Sequence, residues 1–274
     1  MTDPPIVTST TNPRVKAAVA LRERRERART GLTLVDGARE LRRALDAGIE
    51  VVEAFVHDAA VAGEDARAAL DGLAAAGTRI QRVSAPVLSK LAFGDRSEGL
   101  VAVVRLAPQA PDELSLPDDA LLVVLEGVEK PGNVGAVLRS ADGAGATAVI
   151  AASPRTDLAT PNVIRASAGT VFALPVAAAS SEDVLAWLRA RDVRIVTTRV
   201  EASVPYTEAD LTGRVAIVLG AEDEGLTDTW NGPDITAIHL PMRGIADSLN
   251  VSVSAAVVLY EARRQRDRHP RPGD

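Results

Sequence analysis

Five apolar residues in a row, Val215 to Leu219, run without a break into Gly220-Ala-Glu-Asp-Glu-Gly225. The run is short and rich in β-branched residues, so it reads as a strand buried on both faces of a parallel sheet. Such a sheet needs covering helices on both sides, which commits this part of the chain to an α/β architecture. A second, shorter run, Ile238 to Leu240, leads into another polar loop that carries Pro241, Gly244, Ser248 and Asn250. From Val251 the period becomes helical, with Val253, Val257 and Tyr260 on one side. Arg263, Arg264 and Arg266 form its basic end, where cations suit a helix C-terminus. Two strand-to-loop exits so close in sequence point to a ligand site at the carboxyl ends of parallel strands.

Taken in order, the 274 residues suggest two domains joined by a linker. Residues 1–11 are rich in Pro and Thr and are expected to fray. Asn12-Pro13 starts a helix that should run to about Arg29 and stop at Gly31. Strands are expected over Leu32–Val35, Val51–His57, Arg79–Val83 and Gly99–Leu106, and helices over Ala38–Ala47, Ala66–Ala76 and Pro86–Ala92, the last ending near Phe93-Gly94. This alternation makes residues 1–106 a small α/β domain. Residues 107–119, APQAPDELSLPDD, read as an exposed, semi-extended linker. A second α/β domain, 120–266, follows, and 267–274 form a tail. Within it, Leu121–Leu125, Ala146–Ala151 and Arg194–Thr198 read as strands and Phe172–Val176 as an extended segment. Asn133 is expected to cap a helix running to about Ala144, Thr160-Pro161 to start one through Gly169, and Ser181–Arg191 to form a third. Gly143-Ala-Gly145 is no dinucleotide loop, because it sits between a helix and a strand rather than the reverse.

Composition narrows the chemistry. The chain has no cysteine, which excludes disulfides, thiolate metal sites and a Cys nucleophile. The three histidines, His57, His239 and His269, are scattered, and no metal site is expected; His57 and His239 adjoin apolar runs and read as strand-edge or surface residues. No apolar run reaches the length of a membrane span, and MTDPPIVTS lacks a secretion pattern, so a cytoplasmic protein is expected. The net charge is −6, yet residues 14–29 hold seven basic side chains against two glutamates. Arg14, Lys16, Arg22, Arg24 and Arg25 in that segment, with Arg96 in a loop of the same domain, are candidate RNA contacts, since arginine pairs phosphate and stacks on bases. A solvated helix face laced with ion pairs is the competing reading of 14–29.

Three segments together carry a resemblance. Asn133-x-Gly135-Ala136-x-x-x-Arg139, Gly220-Ala-Glu222-x-Glu224-Gly225, and Leu240-Pro-Met242 with Ser248-Leu-Asn250-Val-Ser252 resemble the three signature motifs of the SpoU/TrmH family. That family comprises S-adenosylmethionine-dependent RNA 2′-O-ribose methyltransferases of the SPOUT superfamily. The likeness covers residues 118–265 clearly and the N-terminal third more loosely. It implies an α/β knot for the second domain, a deep trefoil in which the C-terminal segment threads through a loop, with parallel strands and helices on both faces. It also implies an L30e-like RNA substrate-binding domain for residues 1–106, a homodimer with the active site at the interface, and S-adenosylmethionine bound in bent form within the knot.

The same resemblance assigns roles. Arg139 matches the arginine implicated in activating the 2′-hydroxyl; a guanidinium stays protonated, which favours holding phosphate or stabilising a developing alkoxide. Asn133 lies on the same helix, and Glu222 matches the active-site acid. Ser248 and Asn250 match the third motif and should orient ribose or phosphate. Gly220, Leu240 and Leu249 align with cofactor-binding positions, with Thr198 and Met242 as neighbours. Methyl transfer to a ribose hydroxyl needs in-line geometry and a route for one proton, and no metal. The expected substrate is 23S ribosomal RNA. Transfer RNA is the alternative substrate, and a non-catalytic RNA-binding protein of the same fold is the alternative in kind.

Overall fold

The computed structural model describes residues 5–92 and 98–268. Phe93-Gly94, Arg96, residues 1–4 and most of the expected tail lie outside the described residues. The chain forms two compact units, Met1–Ala107 with Ala159–Ala173, and Pro108–Leu158 with Leu174–Asp274.

The first unit holds a four-stranded sheet of β1 (Leu32–Asp36), β2 (Val51–Val56), β3 (Arg79–Arg82) and β4 (Leu100–Arg105). Their spatial order is β1-β4-β2-β3, antiparallel except for the β2–β3 pair. Around it lie α1 (Pro13–Ala20), α2 (Arg24–Thr30), α3 (Ala38–Asp46), α4 (Glu64–Ala75) and α5 (Ala85–Leu91). Asn12 caps α1 by accepting from the Arg14 amide at 2.9 Å, as its position before Pro13 predicts. The expected single helix over 13–29 is instead two. Leu21 is buried, and the buried Arg27 guanidinium donates to the carbonyls of Leu21 (2.9 Å) and Arg22 (2.6 Å). Those bonds satisfy carbonyls that the break would otherwise leave open.

The second unit is a seven-stranded sheet. Its strands are β5 (Leu121–Glu126), β6 (Ala148–Ala152), β7 (Val176–Ala179), β8 (Arg194–Thr198), β9 (Val204–Pro205), β10 (Val215–Leu219) and β11 (Ile235–His239). Their order is β7-β6-β5-β10-β8-β11-β9, and every pairing is parallel. Of its helices, α6 (Pro131–Gly143) precedes α7 (Pro161–Ala166), which belongs to the first unit, and α8 (Ser181–Arg189) and α9 (Val251–Arg268) follow. The central position of β10 explains its unbroken apolar sequence: all five residues are buried. Alternate residues of β5 and β10, such as Leu122, Val124, Ala216 and Val218, pack with Val184, Trp187 and Leu188 of α8. Burying one such branched side chain contributes about 1.5–3 kcal/mol, so a charge at Ile217 would break the sheet's centre. The helices α6 and α9 pack on each other and against β6 and β10. Gly143 permits that approach, since a Cβ there would lie 2.9 Å from the Tyr260 hydroxyl.

Four expectations need correction. The 107–119 segment is largely exposed, as expected, but it is anchored rather than a free linker: Leu114 is buried in the second unit's core, and Gln109 extends the sheet edge through Gln109 N to Val176 O (2.9 Å) and Ala178 N to Gln109 O (3.0 Å). Phe172–Val176 is not one extended segment, because Gly169 at φ +82° starts a tight turn over Thr170–Phe172 and the strand begins at Val176. Asn133 does not cap α6, which starts two residues earlier at Pro131; the proline's fixed φ suits the first helical position and frees the Asn133 side chain. Residues 159–173, expected inside the second domain, belong to the first unit. There α7 packs on β1, Thr33 Oγ1 donates to Ala159 O (2.6 Å), and Arg43 donates to Ala168 O (2.6 Å).

Candidate active site

The carboxyl ends of β8, β10 and β11 open into a cavity of about 370 Å³, lined by residues of the second unit. Thr198 ends β8, Gly220 follows β10, and Leu240 follows β11; all three line it. Met242, Ser248 and Leu249 line it from the loop before α9, and Glu222 from the loop after β10. The five expected cofactor positions therefore meet in one place. The wall at Gly220 tolerates no side chain: a Cβ there would stand 2.2 Å from the backbone carbon of Gly225. Gly225, at φ +68°, closes the turn by donating its N–H to Ala221 O at 3.0 Å. Below the turn, Arg199 donates to the carbonyls of Thr227 and Trp230 (each 3.3 Å) and to Asn231 Oδ1 (2.9 Å), so it holds the segment after Gly225.

At the edge of this cavity the three motifs join by hydrogen bonds. Asn250 precedes α9, and its Oδ1 accepts from the Ser252 amide (2.9 Å) and hydroxyl (2.6 Å). Its main-chain carbonyl accepts from Ser254 N at 2.9 Å, so Asn250 is the helix cap. Because a backbone N–H can only donate, Asn250 Oδ1 must face Ser252 and Nδ2 must face away. Nδ2 donates to Asn133 Oδ1 at 3.3 Å, and Asn133 Nδ2 then donates to Glu222 Oε1. The polarity of the whole chain of bonds is thus set by one backbone amide. It ends on a half-buried carboxylate whose lone pairs remain partly available.

Arg139 and Ser248 do not join this network. Arg139 is exposed on α6, does not line the cavity, and makes no hydrogen bond or ion pair among the described residues. Ser248 is exposed on the cavity rim. In the first unit, Arg14 is committed internally: it donates to Gln81 Oε1 (2.8 Å) and pairs with Glu53. Arg22 is tied down too, donating to Lys90 O (2.9 Å) and Ala92 O (2.8 Å). Lys16, Arg24 and Arg25 are exposed. Arg96 lies outside the described residues.

Three residues given no role in the site from sequence also shape it. His239 lines the same cavity, and its Nδ1 is buried without a partner among the described residues. Arg155 bridges two motif loops, donating to Glu129 (2.7 Å) and Glu224 (2.5 Å). Glu126, buried at the end of β5, accepts from Ser181 Oγ (2.6 Å), Thr227 N (2.8 Å) and Thr227 Oγ1 (2.8 Å). It pins the start of α8 and the segment after Gly225 to the sheet. A lone acid after an apolar run was the available signal for Glu126; nothing in sequence spacing marks Arg155.

Comparison with known proteins adds the context. The sequence model of the SpoU rRNA Methylase family matches residues 120–260, and that of an MRM3-like substrate binding domain matches residues 12–102. The 23S rRNA (guanosine-2′-O-)-methyltransferase RlmB of Vibrio parahaemolyticus is 34% identical over 203 residues, 72% of this chain and 82% of that protein. A crystal structure of an RNA 2′-O ribose methyltransferase superposes with a TM-score of 0.82 at 45% identity, covering 96% of this chain and 99% of that one. An AdoMet-bound rRNA methyltransferase from Sinorhizobium meliloti superposes with a TM-score of 0.86 at 30% identity, covering 95% and 97%.

Proposed function

The chain belongs to the SpoU rRNA methylase family, and from that premise we infer how its residues transfer a methyl group to an RNA ribose. It is an S-adenosylmethionine-dependent RNA 2′-O-methyltransferase, with 23S ribosomal RNA as substrate, working in the cytoplasm. The transfer RNA alternative has less support, since the relatives from Vibrio parahaemolyticus and Sinorhizobium meliloti are ribosomal RNA enzymes. One observation carries the reading: the Ser252–Asn250–Asn133–Glu222 relay unites all three motifs beside the one cavity that holds every expected cofactor position.

The cavity fits the cofactor. Leu240, Leu249 and Met242 offer apolar surface for adenine, and the orphaned His239 Nδ1 offers a polar contact. Bound S-adenosylmethionine supplies an electrophilic methyl group, and the protein does the rest. Glu222 accepts the proton of the 2′-hydroxyl, and Asn133 holds that carboxylate in place. Asn250 fixes Asn133, and Ser248 orients the ribose from the rim. Arg139, exposed and without a partner among the described residues, binds the RNA phosphate beside the reacting ribose.

The protein acts as a homodimer, its active site completed at the interface, with the C-terminal segment threaded as a trefoil knot. Support for the dimer comes from Leu249, Val253 and Tyr260, large apolar side chains just before and along α9 that are left 39%, 46% and 54% exposed. Lys16, Arg24 and Arg25 make the RNA contacts of the first unit. Transfer of labelled methyl to fractionated total RNA tests the reading: incorporation into the large-subunit fraction at a ribose is expected. Incorporation into transfer RNA alone, or cofactor binding with no transfer, refutes it.

A further inference from the structure

A second cavity, of about 170 Å³, lies next to the first, and the turn formed by Ala221, Glu224 and Gly225 lines both. The methyl-transfer relay does not use it. Its size is well below the roughly 300–1,000 Å³ of sites that enclose a drug-sized ligand, so it suits a single ring system. Its lining is polar, with the Ser153, Thr227 and Thr229 hydroxyls beside the carboxylates of Glu126 and Glu182. Arg155 is its one cation among the described residues, and it pairs with two glutamates, Glu129 and Glu224. Excess negative charge excludes a phosphate and favours a neutral group that offers N–H donors.

The two inner carboxylates differ. Glu126 already accepts three hydrogen bonds, from Ser181 and Thr227, and forms fixed wall. Glu182, in the first turn of α8, is exposed and accepts only from Thr229 Oγ1, at 3.3 Å, among the described residues. An ionised carboxylate pairs best with two parallel N–H donors. Among the four RNA bases, guanine alone presents a ring N–H beside an amino group. The reacting 2′-oxygen must come within about 3–3.5 Å of the methyl carbon, so the base on that ribose has to lodge against the cofactor cavity. We propose that the second cavity receives the base of the methylated nucleotide, and that Glu182 selects guanine through its N1–H and N2–H₂ groups. The assignment rests on the ribose-methylation reading and adds base selection to it.

The test uses the full chain, labelled S-adenosylmethionine and 23S rRNA, with the product digested to nucleosides. The wild type is expected to yield 2′-O-methylguanosine. Glu182→Gln, which keeps the shape but replaces one acceptor by a donor, should raise KM for RNA by about tenfold, the discrimination of one good bidentate base contact. Its KM for cofactor and its melting temperature should stay unchanged. Thr229→Phe, which fills the cavity, should show the same split. Methyl found on the ribose of any other nucleoside, or a wild-type KM for RNA in both variants, overturns the proposal while leaving the methyltransferase reading intact. A wild type that methylates no RNA at all overturns both.

Discussion

Asn133 joins the first and second motifs to the third, which makes its removal the sharpest test of the relay. Its amide donates to the Glu222 carboxylate and accepts from Asn250 at 3.3 Å. A hydrogen bond to a charged group contributes about 1.5–3 kcal/mol and a long neutral one below about 1 kcal/mol. Asn133 is half-buried, so water replaces part of this when the side chain is cut back. Asn133→Ala should therefore raise the barrier by about 2–3 kcal/mol, a fall of roughly 30- to 150-fold in kcat. Asn133 does not line the cofactor cavity, so the Kd for S-adenosylmethionine should stay within about twofold of wild type. Asn133→Asp keeps the volume but places a second carboxylate against Glu222, and should be slower still at neutral pH. Single-turnover methyl transfer gives kcat for the chemical step, and calorimetry gives the cofactor Kd. A kcat within threefold of wild type in Asn133→Ala would falsify the relay. So would a loss that appears wholly in cofactor Kd, since Asn133 would then act by shaping the cavity.

Two further outcomes are expected. Gly220→Ala places a Cβ 2.2 Å from the Gly225 backbone, where only chain movement relieves the clash; the variant should lose about 1–3 kcal/mol of stability, and cofactor titration should show weaker binding than in an Ala221→Ser control. The Glu40 carboxyl is held above its ordinary value of 4.5, mainly by burial and then by the charge of Glu98. A carboxyl raised in the folded state stabilises the fold below its unfolded pKa, and that contribution is lost as pH rises through the folded value. Glu40→Gln should thus raise the melting temperature at pH 7, with the gain vanishing below pH 4.5; an equal gain at both pH values would show that charge is not the cause.

Much of the second unit was readable because its strands obey a rule that sequence states directly. β10 lies between β5 and β8 with both faces covered, so every position is apolar, and its end is marked by the first residue that cannot be. The position of the larger cavity was readable for the same reason: Gly220 and Leu240 stand where buried strands stop. The errors fall where one particular side-chain contact, rather than the pattern of the segment, decides the local course. Arg27 breaks a helix that its own neighbours would continue. Leu114 draws an acidic, proline-rich segment into a core that local composition cannot reveal. Glu126 and Arg155 hold loops 55 to 101 residues away, and such partners have no periodicity to betray them.

The course of residues 159–173 bears on how the protein can be dissected. Family boundaries at 102 and 120 invite a cut between the halves. Yet Val163, Ile164, Val171 and Phe172, coded from within the methylase half, are buried as part of the first unit. A methylase half expressed alone would carry these four side chains without the surface that covers them, and a substrate-binding half expressed alone would lack the strap that closes it. Each fragment inherits the other's missing piece, so poor behaviour of either in isolation is a property of the cut. An exchange of substrate-binding halves between relatives would need to carry this strap along, as a third segment moved with the first hundred residues.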